Sequence, residues 1–380
     1  MKILAIETSC DDTGIALLDA KASGIKVIAD TIISQTKIHE QYGGVFPVKA
    51  KMAHAANLVP ALLKVITPLT PLILRGEEMH KSKIAKIKKI LEREMGLFEA
   101  MEKNLFGVKP PKIDRIAVTY GPGLEPALWV GISFAKALSI LWGIPVVPVN
   151  HMRGHFLAPM AEGKKIIFPA LGLLISGGHT ELILAKSAVS FKLLGTTRDD
   201  ACGEAYDKVA RILGLPYPGG PHIARMAEVA RRSGRDTSAY VLPRPMLHSK
   251  DLAFSFAGLK TAVLYMAKRI GTLNEEIKEN VAKEFEEAVK DVLVMKTKKA
   301  LSHMSDMWEV KSLVVGGGVS ANVYIMQNLE ALAKESGVKF LGSSRALATD
   351  NAVMIGVAGY FTKAKSLGSI KANGNLPIEK

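Results

Sequence analysis

The residues best placed to do chemistry together lie in Asn150-His-Met-Arg-Gly-His155. Asn150 suits a helix N-cap, because its side chain can accept from the first free amides of a helix. His151 and His155 then stand at i and i+4 on one face, the spacing that lets two imidazoles share a metal ion. The same spacing also serves a structural or merely exposed pair. Asp350, in Ala-Thr-Asp-Asn, opens another helix and could add a carboxylate. Two histidines and one aspartate leave coordination positions open, which suits catalysis better than a closed structural site. Spacing alone does not bring Asp350 to the histidines.

Three turns suit phosphate. Gly316-Gly-Gly-Val-Ser-Ala-Asn322 follows a strand and precedes a helix, so backbone amides and the helix N-terminus can face an anion. Ser176-Gly-Gly-His-Thr180 lies between two strands, where it is either a phosphate cradle or a plain hairpin turn. Thr8-Ser-Cys-Asp-Asp-Thr13 takes the same place near the N-terminus, with hydroxyls and carboxylates instead of glycines. On a helix after Asp200, the carboxylates of Asp200, Glu204 and Asp207 fall on one side. They could bind ribose hydroxyls, work as acid and base, or form a solvated acidic face. His39, His54, His80 and His222 read as structural.

These residues need a scaffold. Lys2 to Ile6 and Gly14 to Leu18 read as two strands around a polar turn, and Leu171 to Ile175 and Glu181 to Ala185 repeat that pattern in the second half. A duplicated α/β architecture follows, each lobe opening with a β-hairpin. Further strands are expected at Arg115 to Thr119, Ile144 to Val149 and Ser312 to Val315. Helices are expected from about 127 to 141, after Asp200, from 275 to about 301, and from Asp350 to about 363. The boundaries place 1–150 plus 350–370 in the first lobe and 151–349 in the second, with 371–380 a flexible tail. Between the strands of the first lobe lies an insertion of about 70–110. Pro68 and Pro71 break one helix, one charged helical run spans Glu77 to about Asn104, and Pro110 and Pro111 restart the fold. From Arg75 to Arg93 there are seven Lys or Arg and three Glu, with Ile84, Ile87, Ile90 and Leu91 at helical spacing. That is either a solvated surface helix or one that contacts RNA or a partner.

A chain of 380 residues with 48% hydrophobic composition can bury two cores. The net charge of +14 favours a polyanionic partner such as RNA, an anionic surface or a phosphorylated ligand. Cys10 and Cys202 are the two cysteines, so no disulfide framework is implied and a reducing cytoplasm fits. Glu7 interrupts the first apolar run too early for a signal peptide. The apolar stretch 126–149 contains Lys136, two glycines and Pro145, and reads as a buried helix and strand rather than a membrane span.

Taken together, the blocks IETSCDDTGIAL, QYGGVFP, YGPGLEPALWVGISFAKAL, VNHMRGH, SGGHTEL, DDACGEAYDKVARILGLPYPGGP, FSFAGLKTAV, GGGVSAN and ATDNAVMIG resemble the tRNA N6-adenosine threonylcarbamoyltransferases, in their bacterial or organellar form. That family was formerly described as O-sialoglycoprotein endopeptidases. The resemblance covers about 1–67 and 111–365. It implies two duplicated actin-like lobes of the ASKHA superfamily, RNase H-like, with an interlobe nucleotide cleft. It implies transfer of threonylcarbamoyl from threonylcarbamoyl-AMP to the N6 amine of adenosine 37, in tRNAs reading codons that begin with A. It implies one divalent metal per subunit, Fe2+ or Zn2+, on His151, His155 and Asp350. Substrate-binding positions carry over to Leu174, Ile175, Ser176, Gly177, Gly178, Asp207, Gly220 and Asn322, with Glu7, Ser9, Asp11, Glu204, Gly317 and Gly318 as further candidates. It also implies a small inactive paralogue and a P-loop ATPase as partners, and no membrane. The insertion, Val48 after Pro47, and Ala348 depart from the family's pattern. A metalloprotease and an ASKHA-type small-molecule kinase are the rival readings. The protease lacks a Glu after the first histidine, where Met152 stands.

Overall fold

The computed structural model describes residues 1–67, 80–108, 112–305 and 309–380, without the side chains of 304 and 305. Pro68, Pro71, Pro110, Pro111 and the expected helix start at Glu77 lie outside these ranges. Two compact units result: Met1–Lys165 with Asp350–Ile378 and Lys380, and Ile166–Thr349 with Glu379.

The first unit is built on a five-stranded sheet. Its strands are β1 (Lys2–Glu7), β2 (Asp12–Lys21), β3 (Gly24–Ser34), β4 (Arg115–Gly121) and β5 (Val146–Asn150), in the order β3-β2-β1-β4-β5. β1 pairs antiparallel with β2 and parallel with β4, and β5 extends the parallel side. β1 is an unbroken apolar run because both its faces are covered. Leu4 and Ile6 share a core with Leu58 and Leu62 of the helix Pro47–Ile66 and with Val130 and Phe134 of the helix Glu125–Trp142. The helix Ala352–Phe361 lies on the same sheet. Gly356 and Gly359 let it approach: a Cβ there would stand 2.3 Å from Leu18 and 2.6 Å from Ala117.

The second unit repeats this plan. Its strands are β6 (Ala170–Ile175), β7 (Thr180–Ser187), β8 (Ser190–Thr196), β9 (Ser312–Gly316) and β10 (Lys339–Gly342), in the order β10-β9-β6-β7-β8. Read from β8, this is the order and direction of the first sheet: hairpin pairs on one side of the opening strand, parallel pairs on the other. The duplicated actin-like lobe expected from the sequence is therefore present twice. Leu171, Leu173, Ile175, Leu313 and Val315 join a core with residues of the helices Cys202–Ile212, Gly219–Arg232, Ala257–Ile270 and Glu275–Ser305.

Several expectations are adjusted. The first unit continues past residue 150 to Lys165, so the helix carrying the paired histidines belongs to it. Residues 371–378 pack on that unit through buried Leu376 and Ile378 rather than trailing free. The charged run of the insertion is not one helix. Helices Lys81–Leu91 and Leu97–Leu105 are separated by a turn whose Gly96 sits at φ 76°, the left-handed region. Strands β3, β8 and β10 lacked a sequence signal because they flank or end their sheets and consist mostly of half-buried and exposed positions. Among the described residues no helix is long and apolar enough to cross a membrane.

Candidate active site

In the first unit the functional groups gather at the carboxyl ends of the parallel strands, where open α/β sheets offer their ligand crevices. β1 ends in Glu7, β4 in Thr119 to Gly121, and β5 in Asn150. Asn150 caps the next helix, its Oδ1 accepting from the amides of Met152 at 3.0 Å and Arg153 at 3.3 Å. That cap starts the helix at His151 and brings His155 one turn later onto the same side. The rings stand edge to face, 4.7 Å apart. Asp350 arrives from far along the chain. Asn351, not Asp350, caps the helix Ala352–Phe361 by accepting from Met354 N at 2.9 Å, which leaves the Asp350 carboxylate free to turn toward the histidines.

The three ligand atoms form a small triangle. His155 Nε2 is 3.1 Å from His151 Nε2 and 3.1 Å from Asp350 Oδ1, and His151 Nε2 is 3.3 Å from the same oxygen. Three N or O ligands at about 2.0–2.1 Å from one tetrahedral or octahedral cation stand roughly 2.9–3.4 Å apart, so the triangle has the size a single ion requires. These are also the described residues that meet as a possible metal-holding group. His151 and His155 are 5% and 1% exposed, whereas the Asp350 side chain keeps 24% of its surface, so the open edge lies beside the carboxylate.

Behind the triangle stands Glu7, 1% exposed. Its Oε1 accepts from Ser9 N at 2.5 Å, and its Oε2 accepts from Thr119 Oγ1 at 2.6 Å and meets His151 Nδ1 at 3.1 Å. A carboxylate on Nδ1 keeps the proton there and turns the Nε2 lone pair into the triangle. Both oxygens of Glu7, a candidate for the nucleotide, are thus engaged within the protein. With protein groups alone acting, burial opposes charge on His151, but the carboxylates of Asp350 and Glu7 outweigh it and push its pKa up to about 10. For Asp350, burial acts upward, yet the neighbouring imidazoles hold its carboxyl well below the usual range. Burial, with the neighbouring His151 charge, lowers His155 despite the Asp350 hydrogen bond. The His155 Nδ1 is buried without a hydrogen-bond partner among the described residues.

Ser9 and Asp11 lie on the turn after β1. Ser9 is buried, its hydroxyl without a partner among the described residues, and burial, then the Asp350 charge, raises the Asp11 carboxyl.

In the second unit the glycine turns are stitched together at the carboxyl ends of β6 and β9. Ser176 Oγ accepts from Gly178 N at 3.3 Å and His179 N at 3.1 Å, folding the β6–β7 turn on itself. Gly203 N donates to Ser176 O at 3.0 Å, docking the start of the helix Cys202–Ile212 on that turn. Gly317, at φ 91°, crosses so close to β6 that a Cβ would stand 2.5 Å from Ile175 O. Gly177, Gly178, Gly220 and Gly318 face open space. Leu174 and Ile175 are fully buried, so only their backbone could serve a ligand.

The carboxylates of this unit part company. Lys208 pairs with Asp200 at 2.6 Å and Glu204 at 2.9 Å, while Asp207 Oδ1 accepts from Gly219 N at 2.7 Å and ties two helices. They are not one acidic face, because the helix begins only at Cys202 and Asp200 precedes it. Asn322 caps the helix Val323–Glu335 through Ile325 N at 3.1 Å and donates its amide to Glu286 Oε1 at 2.6 Å. Glu286 carried no sequence signal: it is one of many acids on a long helix. Burial pushes its pKa up to about 7 against the lowering effect of Asn322 and Arg231.

The family model for tRNA N6-adenosine threonylcarbamoyltransferase matches residues 90–357. Curated proteins of that name are 40% identical in Herminiimonas arsenicoxydans, covering 94% of this chain and 91% of that protein, and 39% identical in Thermosipho africanus, covering 100% of both. This chain belongs to the tRNA N6-adenosine threonylcarbamoyltransferase family. Among solved structures, full-length HypF in its phosphate- and nucleotide-bound form shares the fold at a TM-score of 0.51 and 13% identity, over 94% of this chain and 46% of HypF. The family's members carry the name of a tRNA-modifying transferase, which does not favour the protease or kinase readings. Met152, buried at 1%, fills the place where a protease of the H-E-x-x-H type carries its base.

Proposed function

We infer that this chain transfers threonylcarbamoyl from threonylcarbamoyl-AMP to the N6 amine of adenosine 37, in tRNAs reading codons that begin with A. The His151–His155–Asp350 triangle, backed by Glu7, is the observation that carries the reading within this family. In the transfer, the N6 nitrogen forms a bond to the carbamoyl carbon. The carbamoyl C–O bond to phosphate breaks, AMP leaves with that electron pair, and the amine proton passes to solvent.

His151, His155 and Asp350 would hold the cation, Fe2+ or Zn2+. Such a cation supplies Lewis acidity toward a phosphate or carbamoyl oxygen. Glu7 orients His151. The turns Ser176–Gly178 and Gly317–Gly318, with Gly220, offer backbone amides to the AMP moiety, and Asp207 and Asn322 fix the helix starts beside them. No side chain has to act as nucleophile, because AMP is already a good leaving group. Alignment of the two bound substrates supplies much of the rate, and the target base leaves its stack to be reached. We further propose a cytoplasmic setting, with a small inactive paralogue and a P-loop ATPase as helper subunits.

The test is purified chain with labelled threonylcarbamoyl-AMP and tRNA, with and without the helper proteins, read by nucleoside analysis. His151→Ala is expected to lose the metal and abolish transfer. Full transfer by that variant, with the metal verified absent, would overturn the scheme. ATP-dependent phosphorylation of a small molecule would instead favour the kinase.

A further inference from the structure

The helix Lys81–Leu91 carries Lys81, Lys83, Lys86, Lys88 and Lys89 and no acidic residue. All five lysines are exposed. Ile84, Ile87 and Leu91 fall within about 60° of one another on the helix wheel. Ile87 and Leu91 are buried in the core that also holds Phe134 and Leu138. The apolar stripe therefore faces inward, and the lysines cover most of the remaining circumference. The helix is pinned as well as packed. His80 Nδ1 accepts from Ser82 N at 3.3 Å at its start, and just past its end Lys51 Nζ donates to Arg93 O at 2.9 Å and pairs with buried Glu94 at 3.2 Å.

Among the described residues none of the five forms an ion pair; Lys88 lies over the Phe98 ring at 5.7 Å. Five cations with no ion-pair partner among the described residues, on a helix about 16 Å long, repel one another. An ordinary solvated face intersperses both signs. A membrane-binding helix needs an exposed apolar face to insert, and here that face is turned into the core. What remains is a rigid array of point charges with no shape or hydrogen-bond pattern for a particular sequence, which suits phosphates of a nucleic-acid backbone.

We propose that the lysine face of Lys81–Leu91 is a docking surface for the sugar–phosphate backbone of the tRNA substrate. The proposal rests on the transferase reading for the identity of the RNA. It concerns affinity and not chemistry, because none of these lysines belongs to the metal triangle or the glycine turns.

The experiment compares the full chain with the variant K81Q/K83Q/K86Q/K88Q/K89Q. Fluorescence anisotropy with labelled tRNA is measured across KCl, together with transfer at saturating tRNA. A single strand cannot touch lysines spread around the helix, so three contacts are taken. Each contact contributes about 0.7–0.9 to the slope of log affinity on log salt, so the slope drops by about 2–3 and the wild-type advantage grows about 20- to 40-fold from 200 mM to 50 mM KCl. The maximal transfer rate stays unchanged. The matching Lys→Arg variant keeps wild-type affinity. An unchanged salt slope would overturn the proposal, as would equal weakening at both salt concentrations or equal loss in the Arg variant. So would undiminished tRNA affinity in the Gln variant combined with lost binding to an acidic helper protein. A wild-type chain that binds tRNA with a steep lysine-dependent slope yet transfers nothing even with the helper proteins present would refute the transferase reading and leave the surface assignment standing.

Discussion

Replacing Glu7 by Gln tests whether the proposed metal site on His151, His155 and Asp350 is organised from behind. The carboxylate receives Ser9 N, Thr119 Oγ1 and the His151 Nδ1 side on its two oxygens. Gln offers one oxygen and one NH2. If the NH2 replaces Oε2, it faces His151 Nδ1, which must then accept; the ring proton moves to Nε2 and points into the triangle. If it replaces Oε1, it meets the Ser9 N–H donor to donor. Either way a buried donor loses its acceptor or the wrong tautomer is favoured. Outer-shell partners of metal-bound histidines typically matter by 10- to 100-fold in metal affinity, which is about 1.4–2.7 kcal/mol. The fold itself loses about 1–3 kcal/mol for the mismatched buried group. Competition for Zn2+ against a chromophoric chelator measures the first quantity, and urea unfolding of the metal-free protein measures the second. If stability falls as expected while Zn2+ affinity stays within about twofold of wild type, Glu7 supports the fold alone and the reasoning fails.

Two further outcomes follow from other parts of the structure. Gly317→Ala must place a Cβ against Ile175 O at a φ of 91°. It is expected to lose roughly 1–3 kcal/mol and to bind threonylcarbamoyl-AMP more weakly, while Gly318→Ala, in open space, melts like wild type; equal melting temperatures for both would refute the close crossing. Burial pushes His54 down to about 4, so the folded chain keeps it neutral while the unfolded chain protonates it near 6.5. Its contribution is present above pH 6.5 and is lost as pH falls toward 4, by up to about 3 kcal/mol. Urea unfolding at stepped pH should show a shallower decline in His54→Gln than in wild type, and parallel declines would reject the assignment.

His54 also shows what a residue list conceals. Read as a structural histidine, it is buried between Thr13 Oγ1 at 2.8 Å, the Gln35 amide at 3.2 Å and the Cys10 carbonyl at 3.0 Å, and so braces the turn after β1. Its partners come from two separate segments, the turn Thr8–Thr13 and Gln35 after β3, and no local pattern announces them.

Local rules account for what could be read directly. The cap at Asn150 and the i, i+4 pair His151 and His155 are properties of one helical turn, so composition and spacing suffice for them. The two hairpins and the strand leading into Gly316–Asn322 were legible for the same reason: buried strands are continuous apolar runs ended by turn residues. Flanking strands such as β3 and β8 are half-buried and carry no such run, so pairing partners alone define them. Whether the run from Glu77 to Asn104 was one helix depended on which side of it met the core, and the backbone breaks at Gly96 to bury Leu97, Met101 and Leu105. Asp350 stands 195 residues from His155 in sequence. Only the return of the last helix across the first sheet brings its carboxylate to the histidines, and only the pairing of β1 with β4 and of β4 with β5 puts Glu7 behind them, because contact between distant segments is set by packing and not by spacing.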